Sequence, residues 1–553
     1  MQTWWGFIFI FIFIFSLCLC TFTIFKSLFN FTSKTQIPRS KLPLPPGPSI
    51  ISIFINFLIF LWRRRMTIFD MEPLLHRLKL RYGPLFTLGF KSKPTIFIAD
   101  HSFAHIALIQ KGAFFSDRPK SQQLMPISKI FNSNAHRISS AKYGQTWRFL
   151  RRNLTSEMLH PSRFKTYSTA RRWVLDLIVQ RLVSQQTKPV LAMDHFRYGI
   201  FCLLVFMCFG DKLDEEKVKE IETLQRNWLL NLGRIGSFMF WPKLGRIFLG
   251  NRWKELIQVR KNQEDIFIPL IRARKKGKKQ SNSDKEEEEE EGEKSVAYVD
   301  TLVDLQLPEE KRNLNESEIV SLCSEFLNAG TDTTATALEW IMANLVKYPA
   351  IQTKLYEEIV EIVGNPPSLK PSSDHKSEVV VNVNEEDIQK MPFLKAVVLE
   401  GLRRHPPAHF VLPHSVTEDV ELGNFLIPKT ATVNVLVAEL GWDSEVWENP
   451  MEFKPERFLM NSMSTVNGGD GRQLFDITGK RGIKMMPFGA GRRICPGYGL
   501  ALLHLEYFVA NLIWYFEWTA MDGNDIDLSE KQEFTICMKN PLSAYISPRV
   551  NTF

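Results

Sequence analysis

Between Trp4 and Phe25 the chain carries no charged side chain, reading WWGFIFIFIFIFSLCLCTFTIF. About 22 apolar residues suffice for one helical bilayer crossing. The alternation of Phe and Ile has the period of a strand. A lone strand in lipid leaves its backbone groups unpaired, so the pattern predicts a transmembrane helix. Positive charges follow it at Lys26, Lys34, Arg39 and Lys41. That placement predicts a body on the cytosolic side. A cleaved signal peptide would show a basic start, a shorter apolar run and a small-residue cleavage site. The opening MQT has no basic side chain. Residues 1–26 are therefore read as an uncleaved anchor and 27–49 as a basic, proline-rich linker. Within the linker, KLPLPPGPS predicts a stiff, extended spacer. A second apolar stretch, Ile50 to Trp62, is too short for a span and ends in Arg63–Arg65. It reads as membrane-facing surface or buried core.

Beyond this point the pattern turns helical. Met71 to Gly83 has apolar spacings of three and four and a glycine stop, and Lys93 to Asp100 alternates as a strand does. Most of 140–360 reads as helix, and short strand-like segments return near 410–435 and 535–550. The expected fold is mainly α with a smaller β region. The NESE run, Asn315 to Glu318, has the pattern of a capping box opening a long helix. Three stretches read as loops. Residues 272–294 join a basic block to six consecutive glutamates, a composition that predicts a disordered insertion. Residues 365–384 and 461–482 are rich in Ser, Asn, Gly and Pro.

Composition adds constraints. Apolar residues make up 44% of the 553, enough for a large core, and the net charge of +9 favours an anionic partner such as a membrane surface or an acidic protein. The basic residues are dispersed and no nucleic-acid motif occurs, so no nucleic-acid partner is expected. The seven cysteines form no C-x-x-C pattern. An odd count argues against a disulfide framework and fits a reducing compartment.

One cysteine stands apart. Cys495 lies in MMPFGAGRRICPGYGLA, among glycines and two arginines. A nucleophile would need a distant base, and zinc would need several ligands. Haem iron needs one protein ligand on one face, and a thiolate serves. Glycines admit a close backbone, arginines pair with carboxylates, and the apolar helix that follows would stabilise a thiolate with its N-terminus.

Phe488, Gly491, Arg493, Cys495 and Gly497 match F-x-x-G-x-R-x-C-x-G, and the stretch resembles the haem signature of cytochromes P450. The resemblance spans nearly the whole chain, and its wording is most similar to plant microsomal cytochrome P450 family 89. It implies a P450 fold over 50–553, preceded by one transmembrane helix. It also implies haem b bound by Cys495, with Phe488, Gly491, Arg493, Trp147, Arg151 and His414 as cofactor-binding residues. AGTDTT, Ala329 to Thr334, resembles the oxygen-activation groove, where the helix opens and Asp332 and Thr333 deliver protons. Glu400, Arg403 and Arg457 resemble a buried structural trio.

The implied function is a membrane-anchored monooxygenase of the endoplasmic reticulum, single-pass, with its catalytic domain facing the cytosol. It would insert one oxygen atom from O2 into an apolar or amphipathic small molecule. Electrons would come from NADPH through a separate cytochrome P450 reductase, since this sequence shows no Rossmann or flavin fingerprint. A haem-thiolate isomerase or dehydratase and a non-catalytic haem binder are the other readings. The intact Asp332–Thr333 pair argues against both. The sequence departs from the family after the proline linker, where no glycine follows. It also departs at Tyr498, at Gln145 and in the six-glutamate insertion.

Overall fold

The computed structural model describes residues 42–48, 72–90, 93–119, 137–185, 187–240, 250–283, 296–367, 382–460, 475–521 and 525–549. The expected anchor at 1–26, most of the linker and the apolar stretch at Ile50 to Trp62 lie outside the described residues. Among the described residues one helix, Ala192–Phe209, is long and apolar enough to cross a bilayer. Most of it is buried inside the protein, which makes it a core helix.

Among the described residues the first helix runs Glu72–Tyr82, buries Leu75 and Leu78, and stops at Gly83, whose φ of 91° suits glycine alone. The strands Leu85–Phe90 and Lys93–Ile98 then pair antiparallel. Lys93–Ile98 also pairs in parallel with Thr432–Val435, which takes His414–Ser415 on its other side. The proline-rich linker is docked on this sheet and on the separate hairpin of Val420–Leu422 and Phe425–Ile427. Thr87 N donates to Pro46 O at 2.8 Å, and Leu426 N to Pro43 O at 2.9 Å. A Cβ on Gly47 would stand 2.0 Å from Thr87 O. The expected spacer is in this part a fixed strap, because proline carbonyls remain free to accept bonds.

The helical body surrounds the helix Glu316–Lys347. Its start is the predicted capping box: Asn315 Oδ1 accepts from Glu318 N at 2.8 Å, and Glu318 Oε2 accepts from Asn315 N at 2.9 Å. The helices Ala192–Phe209, Pro392–Arg404 and Tyr498–Tyr515 pack against it. Trp340 and Ile341 lie fully buried at its centre, each such side chain worth about 1.5–3 kcal/mol. Gly401 makes one approach possible, because a Cβ there would stand 2.4 Å from Ile341 Cγ1. A separate apolar cluster lies on the sheet side and includes Met486 and Ala490. Leu500 and Leu505, from the same C-terminal stretch, join the helical core. The cysteine loop therefore spans the seam between the two cores.

Two expectations need correction. The helix Gly250–Ser283 runs well into the stretch expected to be disordered from 272. The basic part, RARKKGKKQ, is mostly good helix formers, and propensity over this window outweighs the charge repulsion. The glutamate run itself lies outside the described residues. The long helix also does not open at Gly330: it is continuous from Glu316 to Lys347. Its threonines at 331 and 333 satisfy themselves on it. Thr331 Oγ1 donates to Leu327 O and Thr333 Oγ1 to Ala329 O, each at 2.7 Å.

Candidate haem site

The loop before the helix Tyr498–Tyr515 is built on two left-handed glycines, Gly489 at φ 70° and Gly491 at φ 71°. A single turn, Gly491–Arg493, follows, and Cys495 N donates to Phe488 O at 2.8 Å. This closes the loop and presents the Cys495 side chain just ahead of the helix. The need for glycine at Gly491 arises within the protein, since a Cβ there would stand 2.0 Å from Leu108 O. Gly489 and Gly497 differ: a Cβ on either meets nothing within 4 Å. Phe488 lies at the rim of an aromatic cluster, its ring 6.3 Å from that of Tyr498.

Cys495 keeps accessible surface, yet burial raises its thiol pKa. The Gly497 N–H and the Arg151 guanidinium oppose the burial effect and favour the thiolate. On the long helix, Phe326, Ala329, Gly330 and Thr333 also keep accessible surface, whereas the turns after Thr333 are buried. These four positions share one helical face. Ala408 and Leu412, after the double proline, are exposed as well.

Beside the cysteine the fold gathers cations. Arg151 Nη2, from the helix Gln145–Glu157, donates to Ile494 O, the carbonyl preceding Cys495. Arg493 Nε donates to Ser116 O at 2.7 Å and Nη2 to Ala141 O at 2.7 Å, and its guanidinium lies 4.1 Å from the Trp147 ring. Trp147 Nε1 donates to Ile138 O at 2.9 Å. A third cation, Arg118, is buried beside them. Its Nε donates to Ser139 O at 2.8 Å, and its Nη1 to the carbonyls of Leu412 and Pro413 at 2.7 and 2.9 Å. Burial first, then Arg493 and Arg151, lower the Arg118 pKa to about 9, with Asp117 opposing. Burial, then Arg151, lowers Arg493 to about 10, again against Asp117. Three guanidinium groups held together against one carboxylate favour an anionic ligand.

His414 occupies the same corner with a different capability. Its Nδ1–H donates to Phe115 O at 2.6 Å, and burial with Arg118 and Arg493 lowers its pKa to about 3. The neutral ring therefore offers its other nitrogen only as an acceptor. Arg118, beside it, adds a buried guanidinium to the corner. The sequence reading missed it. The FSDRP run, Phe115 to Pro119, was the available signal, but its carbonyl partners lie nearly three hundred residues away.

The remaining predicted residues lie apart from this corner. Asp332 is ion-paired with Arg197 of the helix Ala192–Phe209 at 3.0 Å. A Cβ on Gly330 would stand 2.7 Å from Leu204 Cδ1, so glycine allows the two helices to meet there. The structural trio is assembled in full. Glu400 accepts from Arg403 at 2.7 and 2.8 Å, from Arg457 Nε at 3.0 Å and from Lys454 N at 2.9 Å. Arg403 also donates to Gly441 O at 2.6 Å. Glu400 and Arg403 are wholly buried, so each depends on its partners for solvation.

The donor set fits haem. One partly buried cysteine is placed at a helix N-terminus, Gly489 and Gly497 leave open space, and three arginines meet the need of two carboxylates. Comparison with known proteins agrees. The family model for cytochrome P450 matches residues 45–547. Cytochrome P450 89A9 of Arabidopsis thaliana is 45% identical over 96% of this chain and 97% of its own length. The isoflavone 3'-hydroxylase of Medicago truncatula is 28% identical over 91% of this chain and 92% of its own. A zebrafish cytochrome P450 solved with progesterone superposes with a TM-score of 0.66 at 21% identity, covering 86% of this chain and 99% of that one. Cysteine loop, arginine corner and sequence relationship converge: the chain belongs to the cytochrome P450 family.

Proposed function

We propose that the protein is a haem-thiolate monooxygenase. It would insert one oxygen atom from O2 into an apolar or amphipathic organic molecule. The observation that carries the reading is the pairing of Cys495 with the cations Arg118, Arg151 and Arg493. Haem held by a thiolate supplies a reducible iron whose electron-rich ligand favours O–O cleavage. The protein's own residues do the rest. Cys495 gives up its proton on binding, and the Gly497 N–H and Arg151 stabilise the charge left on sulfur. Arg118, Arg151 and Arg493 would hold the propionates and offset their charge. The accessible face of the long helix at Phe326, Ala329 and Thr333 lines the substrate side, with Ala408 and Leu412. Proton delivery falls to the Thr333 hydroxyl and to Asp332, once the latter turns from Arg197.

The hydroxylase name of the Medicago relative supports oxygen insertion. Electrons would come from NADPH through a separate cytochrome P450 reductase. The charge-free run at Trp4 to Phe25 and the lysines behind it support a single-pass anchor in the endoplasmic reticulum, the catalytic body facing the cytosol.

The test is spectral and then catalytic. The reduced, CO-bound protein is expected to show the red-shifted Soret band of a thiolate ligand, and Cys495→Ala is expected to lose it. A variant that kept the band would remove Cys495 from the ligand role. With reductase and a substrate, O2 consumption should follow NADPH, and Thr333→Ala should lower the product formed per O2. Unchanged coupling would end the proton-delivery assignment.

A further inference from the structure

Two of the three cations, Arg118 and Arg493, share one short support with the indole. The turn at 137–141 offers its carbonyls in one direction: Ile138 O accepts from Trp147 Nε1 at 2.9 Å and from Arg493 Nη1 at 3.3 Å, Ser139 O from Arg118 Nε, and Ala141 O from Arg493 Nη2. The amides of Ile138 and Ser139 meet one carboxylate on the long helix. Glu325 Oε2 accepts from Ile138 N at 2.8 Å, and Glu325 Oε1 accepts from Ser139 N at 2.9 Å and from the Ser139 hydroxyl. Successive amides clasped by one carboxylate fix the peptide planes, and fixed planes aim the carbonyls. Arg137, at the start of the turn, is buried, and Glu325 opposes the fall in its pKa that burial causes. Glu325 thus serves the turn both as acceptor and as counter-charge. It lies two turns ahead of Thr333 on the same helix.

We propose that Glu325 is a positioning residue for the haem propionate site: through the Ile138–Ala141 turn it holds Arg118, Arg493 and Trp147 in their binding geometry. The inference rests on the haem-thiolate reading above. It assigns the long helix a second task, distinct from proton delivery. The carboxylate never meets the ligand. Its effect is read in how firmly the ligand is held.

The experiment uses the full-length, haem-loaded protein and follows haem transfer to excess apomyoglobin. Glu325→Ala is expected to lose haem roughly tenfold faster, the scale set by losing charge-assisted bonds to a buried turn. Glu325→Gln keeps the shape but turns an NH2 group toward one amide donor, so it should fall between wild type and alanine. In both variants the propionate bending modes in the resonance Raman spectrum should shift, while the thiolate Soret band with CO stays in place. Leu355→Ala, a core truncation on the helix Pro349–Val363, lowers overall stability but should leave transfer rate and propionate modes unchanged. Should Glu325→Ala not fold, Glu325→Gln and Ser139→Ala carry the same readouts. Wild-type transfer rates and unshifted propionate modes in the Glu325 variants would overturn the inference. Failure of the wild type itself to show the thiolate band would overturn the underlying haem reading instead.

Discussion

Arg118 is the residue from which the arginine corner is best judged. A buried guanidinium with two like charges near it is held at a disadvantage until an anion arrives. Arg118→Leu is therefore expected to stabilise the ligand-free protein slightly while weakening haem retention by about tenfold. Thermal midpoints of both forms, read beside haem content, check this. A midpoint that fell equally in both forms would make Arg118 a purely structural cation. Trp147, Arg151 and Arg493 were legible because each falls in a short motif. Arg118 was not, although the FSDRP run around it was a local signal, because that run does not name the partners that bury it. Its meaning comes from Leu412 and Pro413, which only the fold brings near.

Glu339, buried on the long helix, has another testable consequence. Burial raises its pKa from 4.5 to about 7, against the bond it accepts from Leu542 N. The folded value lies above the unfolded one, so this stabilising contribution is full below pH 4.5. It is lost as pH rises through 7. Glu339→Gln keeps the acceptor and removes the titration. Its melting midpoint should exceed that of wild type by about 2–4 °C at pH 8 and match it near pH 5. Parallel midpoint curves across that range would show that Glu339 does not titrate there.

Among the elements, the cysteine loop depends most on a single position. Gly491→Ala combines a left-handed φ with a Cβ 2.0 Å from Leu108 O, and a main-chain carbonyl does not yield as a flexible side chain does. Such strain costs about 1–3 kcal/mol before any clash is counted. The variant should melt lower and take up little haem. The same change at Gly497, where a Cβ meets no protein atom, should leave the apoprotein's melting midpoint unchanged. Helices were readable where periodicity and caps coincided, as at Asn315 and Gly83. They were not readable where composition misled. The lysine-rich end of Gly250–Ser283 resembles a solvated loop in charge but a helix in propensity. At Gly330 the polar run suggested an opened helix, yet Thr331 and Thr333 bond back to their own helix, a satisfaction that sequence alone leaves open.

At the scale of the whole molecule, the Glu400 trio joins the helix Pro392–Arg404 to the segment carrying Arg457. Arg403→Ala would leave Glu400 with part of its buried charge unpaired, at a cost of about 3–5 kcal/mol. Denaturant unfolding should register that loss, and a loss below about 1 kcal/mol would show that water enters the site. The E-x-x-R spacing made this pair legible, whereas the sheet pairings were not, since period-two alternation does not name a partner.

Those pairings bear on how the protein is made. The strand holding Thr95 is among the first of the body to leave the ribosome, yet its parallel partner holds Thr432. At about 5–20 residues per second, the early strand waits on the order of tens of seconds with an open edge. Arg118 and Trp147 wait with it, and Cys495 emerges later still. Nascent chains arrested before Thr432 should therefore be digested readily by protease and should not capture haem. Haem capture is then expected only once the segments carrying Thr432 and Cys495 have emerged, so haem supply acts on a nearly finished chain.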